Sequence, residues 1–308
     1  FSGNPGGVGQ SAKFGDLIAS HSGLQELVLT STNLKGVPSV RLSQELRSNN
    51  EIKKINLSNN PIGEGLTRQR QSGSGEITRD YPAEFFSFLD VSSHANVEVL
   101  IMERCSLQED AGQALASILH NNTKLRELVL RGNELAKTNY FLPPAWTDML
   151  AVNHYISKLD LASNFIGYQG LMKLFASLSR NRSITELVLD GNAMTQYPPT
   201  ADHIELISLL ENNTTLRTLH MSSMLLRDDV LVRMGEGLRR NRGLVRVVSN
   251  NNEFTVRGVG EFSRFLADNT SLEFLDLSCK TVQTNDELYL QAYKSLVETS
   301  NLETILLQ

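Results

Sequence analysis

Six histidines, two cysteines and one glycine-rich stretch are the places where this sequence of 308 residues could do chemistry. A hydrolytic zinc site needs two histidines on one helical face or a pair of closely spaced cysteines, because the ligands must converge on one ion. His21, His94, His120, His154, His203 and His220 each stand alone, and no H-x-x-x-H, H-E-x-x-H or C-x-x-C occurs. There is no G-x-S-x-G nucleophile turn either. Residues 6–13, Gly-Gly-Val-Gly-Gln-Ser-Ala-Lys, have the composition of a phosphate cradle but not its G-x-x-x-x-G-K-[ST] spacing, and read as a turn. His220 with Asp190 and Asn250 makes no triad by any spacing rule. The expectation is therefore no enzyme activity, no metal and no cofactor.

Other polar clusters have structural explanations. Arg233, Arg239, Arg240 and Arg242 gather toward one helix end, where positive charge complements the helix dipole. Asn56, Asn121, Asn181, Asn212, Asn213 and Asn269 match N-x-[ST], but most recur at one repeat position, so the repeat and not glycosylation generates them. A net charge of −5 offers no basic bulk for nucleic acid or an anionic membrane. No apolar run is long enough to span a bilayer, and no signal peptide is read at Phe1. Cys105 and Cys279 lie six repeats apart and cannot pair if each repeat touches only its neighbours, which fits a reducing cytoplasm.

What positions these residues is a repeat. Leu125-Arg126-Glu127-Leu128-Val129-Leu130-Arg131-Gly132-Asn133-Glu134-Leu135 reads L-x-x-L-x-L-x-x-N-x-L, the leucine-rich-repeat signature. Its first leucine recurs at Leu24, Ile52, Val97, Leu125, Ile156, Ile184, Leu216, Leu244, Leu272 and Leu302, at intervals of 28, 45, 28, 31, 28, 32, 28, 28 and 30. Between strands lie helical stripes at 110–120, 170–180, 229–240 and 256–268; in the second, Leu171, Leu174, Phe175 and Leu178 keep the i, i+3, i+4, i+7 spacing. Helices stop at Asn49-Asn50, Asn121-Asn122, Asn181, Asn212-Asn213, Asn241 and Asn269, where asparagine tolerates a left-handed turn. A strand and a helix in about 28 residues predict an α/β fold of the ribonuclease-inhibitor-like class: a right-handed leucine-rich-repeat solenoid, or horseshoe, with the parallel sheet concave and the helices convex. Residues 1–308 form one such solenoid, opening and closing mid-repeat, so further protein is expected on both sides.

Departures from the period are few. The interval from Ile52 to Val97 carries an insertion at about 63–82, polar and without apolar period, which reads as a flexible surface loop. The asparagine slot holds Cys105, Met224 and Lys280 in three repeats; Met224 and Lys280 predict a weakened ladder. Strand alternation turns Val28, Asn56, Ile101, Val129, Asp160, Val188, His220, Val248, Asp276 and Leu306 onto the concave face. Of these, Ile101, Val129 and Val188, ringed by Glu103, Glu127, Arg131, Glu186 and Asp190, resemble an interface core with a charged rim and form the candidate protein-binding site.

Two stretches carry a family resemblance. Leu178-Ser179-Arg180-Asn181-Arg182-Ser183-Ile184 followed by Leu187-Val188-Leu189-Asp190-Gly191-Asn192, with Ile156-Ser157-Lys158-Leu159-Asp160-Leu161-Ala162-Ser163-Asn164 before them, resembles the central repeats of the CARMIL proteins, regulators of actin capping protein. The insertion ending Tyr81-Pro82-Ala83-Glu84-Phe85-Phe86 fits the same place. The resemblance implies a cytoplasmic scaffold at the cytoskeleton or cell cortex whose partners are actin-regulatory proteins. Membrane contact would be made by flanking domains. The capping-protein motif of that family lies in a tail outside these repeats, so no functional residue carries over. The same repeat grammar occurs in Ran-type GTPase activators and in the ligand-sensing repeats of innate immune receptors, which stand as alternatives.

Overall fold

The leucines at the first, fourth and sixth places of each repeat decide where the chain runs. Leu125, Leu128 and Leu130 are fully buried, and the strand they define, Glu127–Val129, is three residues long. A strand so short holds only by stacking on its neighbours. The computed structural model describes residues 18, 23–71, 73, 77–194, 201–278, 294, 296–298 and 302–307. Residues 6–13, His21, Cys279 and Lys280 lie outside the described residues. Contacts gather the chain into two units, Phe1–Asn164 and Phe165–Gln308.

The first unit contains strands β1 (Glu26–Val28), β2 (Lys54–Asn56), β3 (Arg68–Arg70), β4 (Ile77–Asp80), β5 (Val99–Ile101), β6 (Glu127–Val129) and β7 (Lys158–Asp160). Its helices are α1 (Gly36–Ser48), α2 (Tyr81–Phe86), α3 (Glu109–Leu119) and α4 (Ala145–Val152). β1, β2, β5, β6 and β7 pair in parallel, so that Leu27, Ile55, Leu100, Leu128 and Leu159 stand in one inward row. The second unit contains β8 (Glu186–Val188), β9 (Thr218–His220), β10 (Arg246–Val248), β11 (Phe274–Asp276) and β12 (Thr304–Leu306), with α5 (Tyr168–Leu178), α6 (Ile204–Asn212), α7 (Asp228–Arg240) and α8 (Val256–Leu266). Its strands pair in parallel in the same register, Leu187 with Leu219, Val247, Leu275 and Ile305. In each unit strand alternates with helix around a core of the signature leucines, as the periodicity requires. The four helices read from apolar stripes begin and end within two residues of their expected bounds.

Between these elements the backbone is irregular and buried, so its polar groups need partners. Asparagine supplies them twice per repeat. At the strand exit, Asn133 Oδ1 accepts from the N–H groups of Cys105 and Leu107 at 2.9 and 3.0 Å, while its Nδ2 donates to Met102 and Leu130 carbonyls at 2.8 Å each. Asn252 repeats the pattern in the second unit: it accepts from Met224 and Leu226 and donates to Met221 and Ser249. At the helix exit, Asn213 Oδ1 accepts from Thr215 and Leu216 at 2.9 Å, and its Nδ2 donates to Leu178 and Asn181 carbonyls of the previous repeat. Here the sequence reading needs correction. These helix-stop asparagines are not left-handed: Asn49, Asn153, Asn213 and Asn241 have φ of −90°, −75°, −86° and −64°. They are chosen for a side-chain amide that reaches across to the neighbouring repeat.

The left-handed residue sits elsewhere, immediately before the strand-exit slot. Ser31, Asn59, Arg104, Gly132, Ser163, Gly191, Ser223 and Asn251 all have φ between 50° and 71°. Only two are glycines, although glycine is the residue that adopts this region without steric cost. The fold holds the others there because their N–H groups continue the ladder: Arg104 N–H donates to the Arg131 carbonyl at 2.9 Å and Ser223 N–H to that of Asn250 at 3.0 Å. Where the slot lacks asparagine, other atoms substitute. Cys105 Sγ donates to the Leu57 carbonyl at 3.2 Å, and the Met224 carbonyl accepts from Met194 N–H at 3.0 Å.

The insertion is ordered where it is described, which corrects the expectation of a flexible loop. β3 and β4 form an antiparallel hairpin with a bulge between Gln69 and Arg70. Arg68, its side chain 17% exposed, donates to Asp80 at 2.9 Å, and its backbone N–H donates to Asp110 of α3 at 3.3 Å. An arginine held between two carboxylates ties the hairpin to a repeat helix. Asp80 then caps α2 by accepting from Ala83 N–H, and Phe85, Phe86 and Phe88 pack behind it edge to face.

Two outcomes follow from the ladder. Asn133→Ala strands the Cys105 and Leu107 N–H donors and the Met102 carbonyl in the core, the Leu130 carbonyl keeping Asn164 Nδ2, and should cost about 3 kcal/mol in urea melts, against about 0.5 kcal/mol or less for the exposed Asn121→Ala; equal effects would remove the ladder's role. Burial pushes the Cys105 thiol from its ordinary 9.0 up to about 12. In a Cys279→Ser background, Cys105 should resist thiol reagents until the chain unfolds, and its contribution to stability should fall as pH rises above about 9, because the unfolded thiol gives up its proton first.

Candidate functional site

β5 and β6 set Ile101 beside Val129 in register, with Glu103, Glu127 and Arg131 around them, as alternation predicts. Several charges of this face are matched across strands. Glu127 pairs with Lys158 at 3.3 Å, Arg131 with Asp160 at 3.1 Å, and Lys54 with Glu26 at 2.9 Å. Asp160 is 6% exposed and its second oxygen accepts from Ala162 N–H at 2.9 Å, so it braces its own turn. Glu186, Val188 and Asp190 stand together at β8 in the second unit, where Asp190 accepts from Ser222 N–H at 2.7 Å.

The aliphatics are less available than the sequence reading held. Ile101 is half-buried, but Val129 and Val188 are only 6% and 5% exposed, and Val248 8%. Strands about 4.8 Å apart set Ile101 and Asp160 on either side of Val129, and His220 beside both Val188 and Val248, so the short branched groups sit low among larger neighbours. The valines form a packed floor beneath the charged groups of this face.

In the second unit the same face carries a feature the sequence reading passed over. Arg246 lies on the Phe274 ring, its guanidinium carbon 3.4 Å from the centroid. Asp276 is engaged, accepting from Ser278 N–H and from Asn250 Nδ2 at 2.7 Å. The signal was an aromatic residue in a column otherwise dominated by charged residues. His220 stands half-buried between Val188 and Val248.

Elsewhere the polar groups are structural. Arg239 pairs with Asp268 at 2.7 Å, Arg240 with Glu211 at 3.3 Å, and Arg242 donates to the carbonyls of Arg239 and Asn241. His203 is fully buried at the start of α6, edge-on to Tyr168 and 3.8 Å from Asp229; burial lowers its pKa and the carboxylate opposes that shift. Among the described residues no three His, Cys, Asp or Glu side chains come together to hold a metal. The packed floor implies that Val129→Ser should cost about 1–2 kcal/mol in denaturant melts. The two-thirds-buried Glu127–Lys158 pair should be worth about 1 kcal/mol or less in a double-mutant cycle. A neutral Val129→Ser would restore the valine to the solvent-exposed class.

Comparison with known proteins gives a leucine-rich-repeat model matching residues 152–175. The chain is 26% identical over 282 residues to protein CARMIL of Dictyostelium discoideum, covering 84% of this chain and 26% of that protein. It is 25% identical over 283 residues to ribonuclease inhibitor of Sus scrofa, covering 83% and 58%. It is 25% identical over 250 residues to the NACHT, LRR and PYD domains-containing protein 12 of Mus musculus, covering 70% and 21%. The chain thus spans between about a fifth and three fifths of the length of these relatives. With the asparagine ladders and the parallel three-residue strands, these matches identify the chain as a leucine-rich-repeat protein of the ribonuclease-inhibitor-like class.

Proposed function

We propose that this chain is a non-enzymatic protein-binding scaffold in the regulation of actin filaments, acting in the cytoplasm at the cell cortex. The observation that carries the scaffold reading is the sheet face: a regular array of half-exposed charged and polar side chains on in-register parallel strands, with no convergence of metal-ligating groups among the described residues. A repeat scaffold presents such a surface to another protein. Support for the actin setting is the similarity to CARMIL along 84% of this chain, the same family the repeat wording resembles. In the first unit Glu103, Glu127 and Arg131 stand around Ile101 and Val129; in the second, Glu186 and Asp190 flank Val188.

Capture from cytoplasmic extract tests this. The wild-type chain should enrich actin-regulatory proteins, and a Glu103→Lys/Glu186→Lys variant with an unchanged melting temperature should lose them. An Arg239→Glu variant, altered on the helix side, should retain them. Loss with Arg239→Glu alone would move the site to the helices, and enrichment of no actin-related protein would sink the setting.

A further inference from the structure

Four cations stand on the sheet face among the described strands: Lys54, Arg131, Lys158 and Arg246. The first three are each matched to a carboxylate at 2.9–3.3 Å. Arg246 has no acidic partner among the described residues. Its neighbours in register are Thr218 and Phe274, and its contact is the Phe274 ring. Among the described residues, two other arginines also lie over aromatic rings. Arg79 over Tyr81 is held by Glu84 at 3.0 and 3.1 Å. Arg126 over Tyr155 donates to the Thr123 and Leu125 carbonyls. Arg246 alone of the three has ring contact and an uncommitted guanidinium fork.

We propose that Arg246, stacked on Phe274, is the anchor for a carboxylate of a partner protein, and that the partner places an apolar side chain beside that carboxylate. This rests on the scaffold reading and names its partner chemistry. Stacking holds the guanidinium plane fixed, so less freedom is lost when it takes a bidentate carboxylate. Arginine and aromatic side chains at the centre of a face are the residues that dominate binding energy. The apolar companion is Leu306, 41% exposed and two strands along from Val248. Charge decides the class of partner. Glu186, Asp190 and Asp276 stand on the same face and the whole chain carries −5, so a nucleic acid or an anionic membrane would meet net repulsion. A single carboxylate flanked by an apolar group meets in Arg246 a cation with no acidic partner among the described residues and, two strands along the face, the apolar Leu306.

The probe is a set of short synthetic peptides carrying one Asp or Glu beside Leu or Phe on a Gly/Ser background. Control sets replace the acid by its amide or by phosphoserine. Binding to the 308-residue chain is read by fluorescence anisotropy. The wild type should bind the acidic–apolar peptides in a salt-sensitive way and weaken by about tenfold or more for the amides. Arg246→Gln should lose the same factor, Arg246→Lys should recover only part of it, and Phe274→Leu should fall between, all with unchanged melting temperatures. The anchor is overturned by equal binding to Arg246→Gln, by equal binding of acid and amide peptides, by binding of phosphoserine peptides alone, or by no binding. A wild type that captures proteins from extract yet ignores the acidic peptides overturns the anchor and leaves the scaffold standing; one that captures nothing removes the scaffold reading.

Discussion

Satisfaction of the buried backbone at the turns is the constraint on which the rest of this structure depends. Three-residue strands leave long irregular turns in each repeat, and much of that turn backbone is buried. A buried N–H or C=O without a partner costs more than a typical hydrogen bond contributes. Asparagine is suited to the task because one short side chain both donates and accepts. At both exits it bonds within its own repeat and across to the one before, as Asn133 does to Leu130 and to Cys105. The ladder therefore works only at a fixed repeat length. The period is a hydrogen-bonding requirement as much as a hydrophobic one.

That requirement explains how departures from the pattern are absorbed. Cys105 fills an asparagine slot by donating its thiol hydrogen to a carbonyl, and burial holds that thiol protonated. The hairpin of β3 and β4 leaves the repeat after one strand and returns before the next helix, so the sheet register from β2 to β5 is undisturbed. Arg68 at its base replaces lost repeat contacts with a two-carboxylate clamp.

The sheet face obeys a different logic. Its cross-strand ion pairs in the first unit are about one-third exposed or more for most members, so each is weak. Groups whose charge is not locally compensated are where specificity for another protein can reside. In the second unit Arg246 is such a group, and it is held in place by packing on Phe274 instead of by a counter-ion.

Much of this was decided by sequence alone. The spacing of leucines and asparagines names every strand of the main sheet, the parallel order, the inward rows and the outward columns, because a side-chain period of two and a repeat near 28 leave no other arrangement. Other features needed three dimensions. Val129 and Val188 alternate outward like Glu127 and Glu186, yet are buried, because exposure depends on side-chain length and on what the next strand carries. The left-handed turn residues are Ser, Asn and Arg more often than Gly, since the ladder imposes a conformation that propensity alone would not select. The hairpin hides in a polar stretch because its order comes from Asp110, more than 40 residues from Arg68 in sequence. Arg246 and Phe274 are 28 residues apart and become one site only because consecutive repeats stack in register: the sequence specifies the period, and the stacking decides which side chains meet.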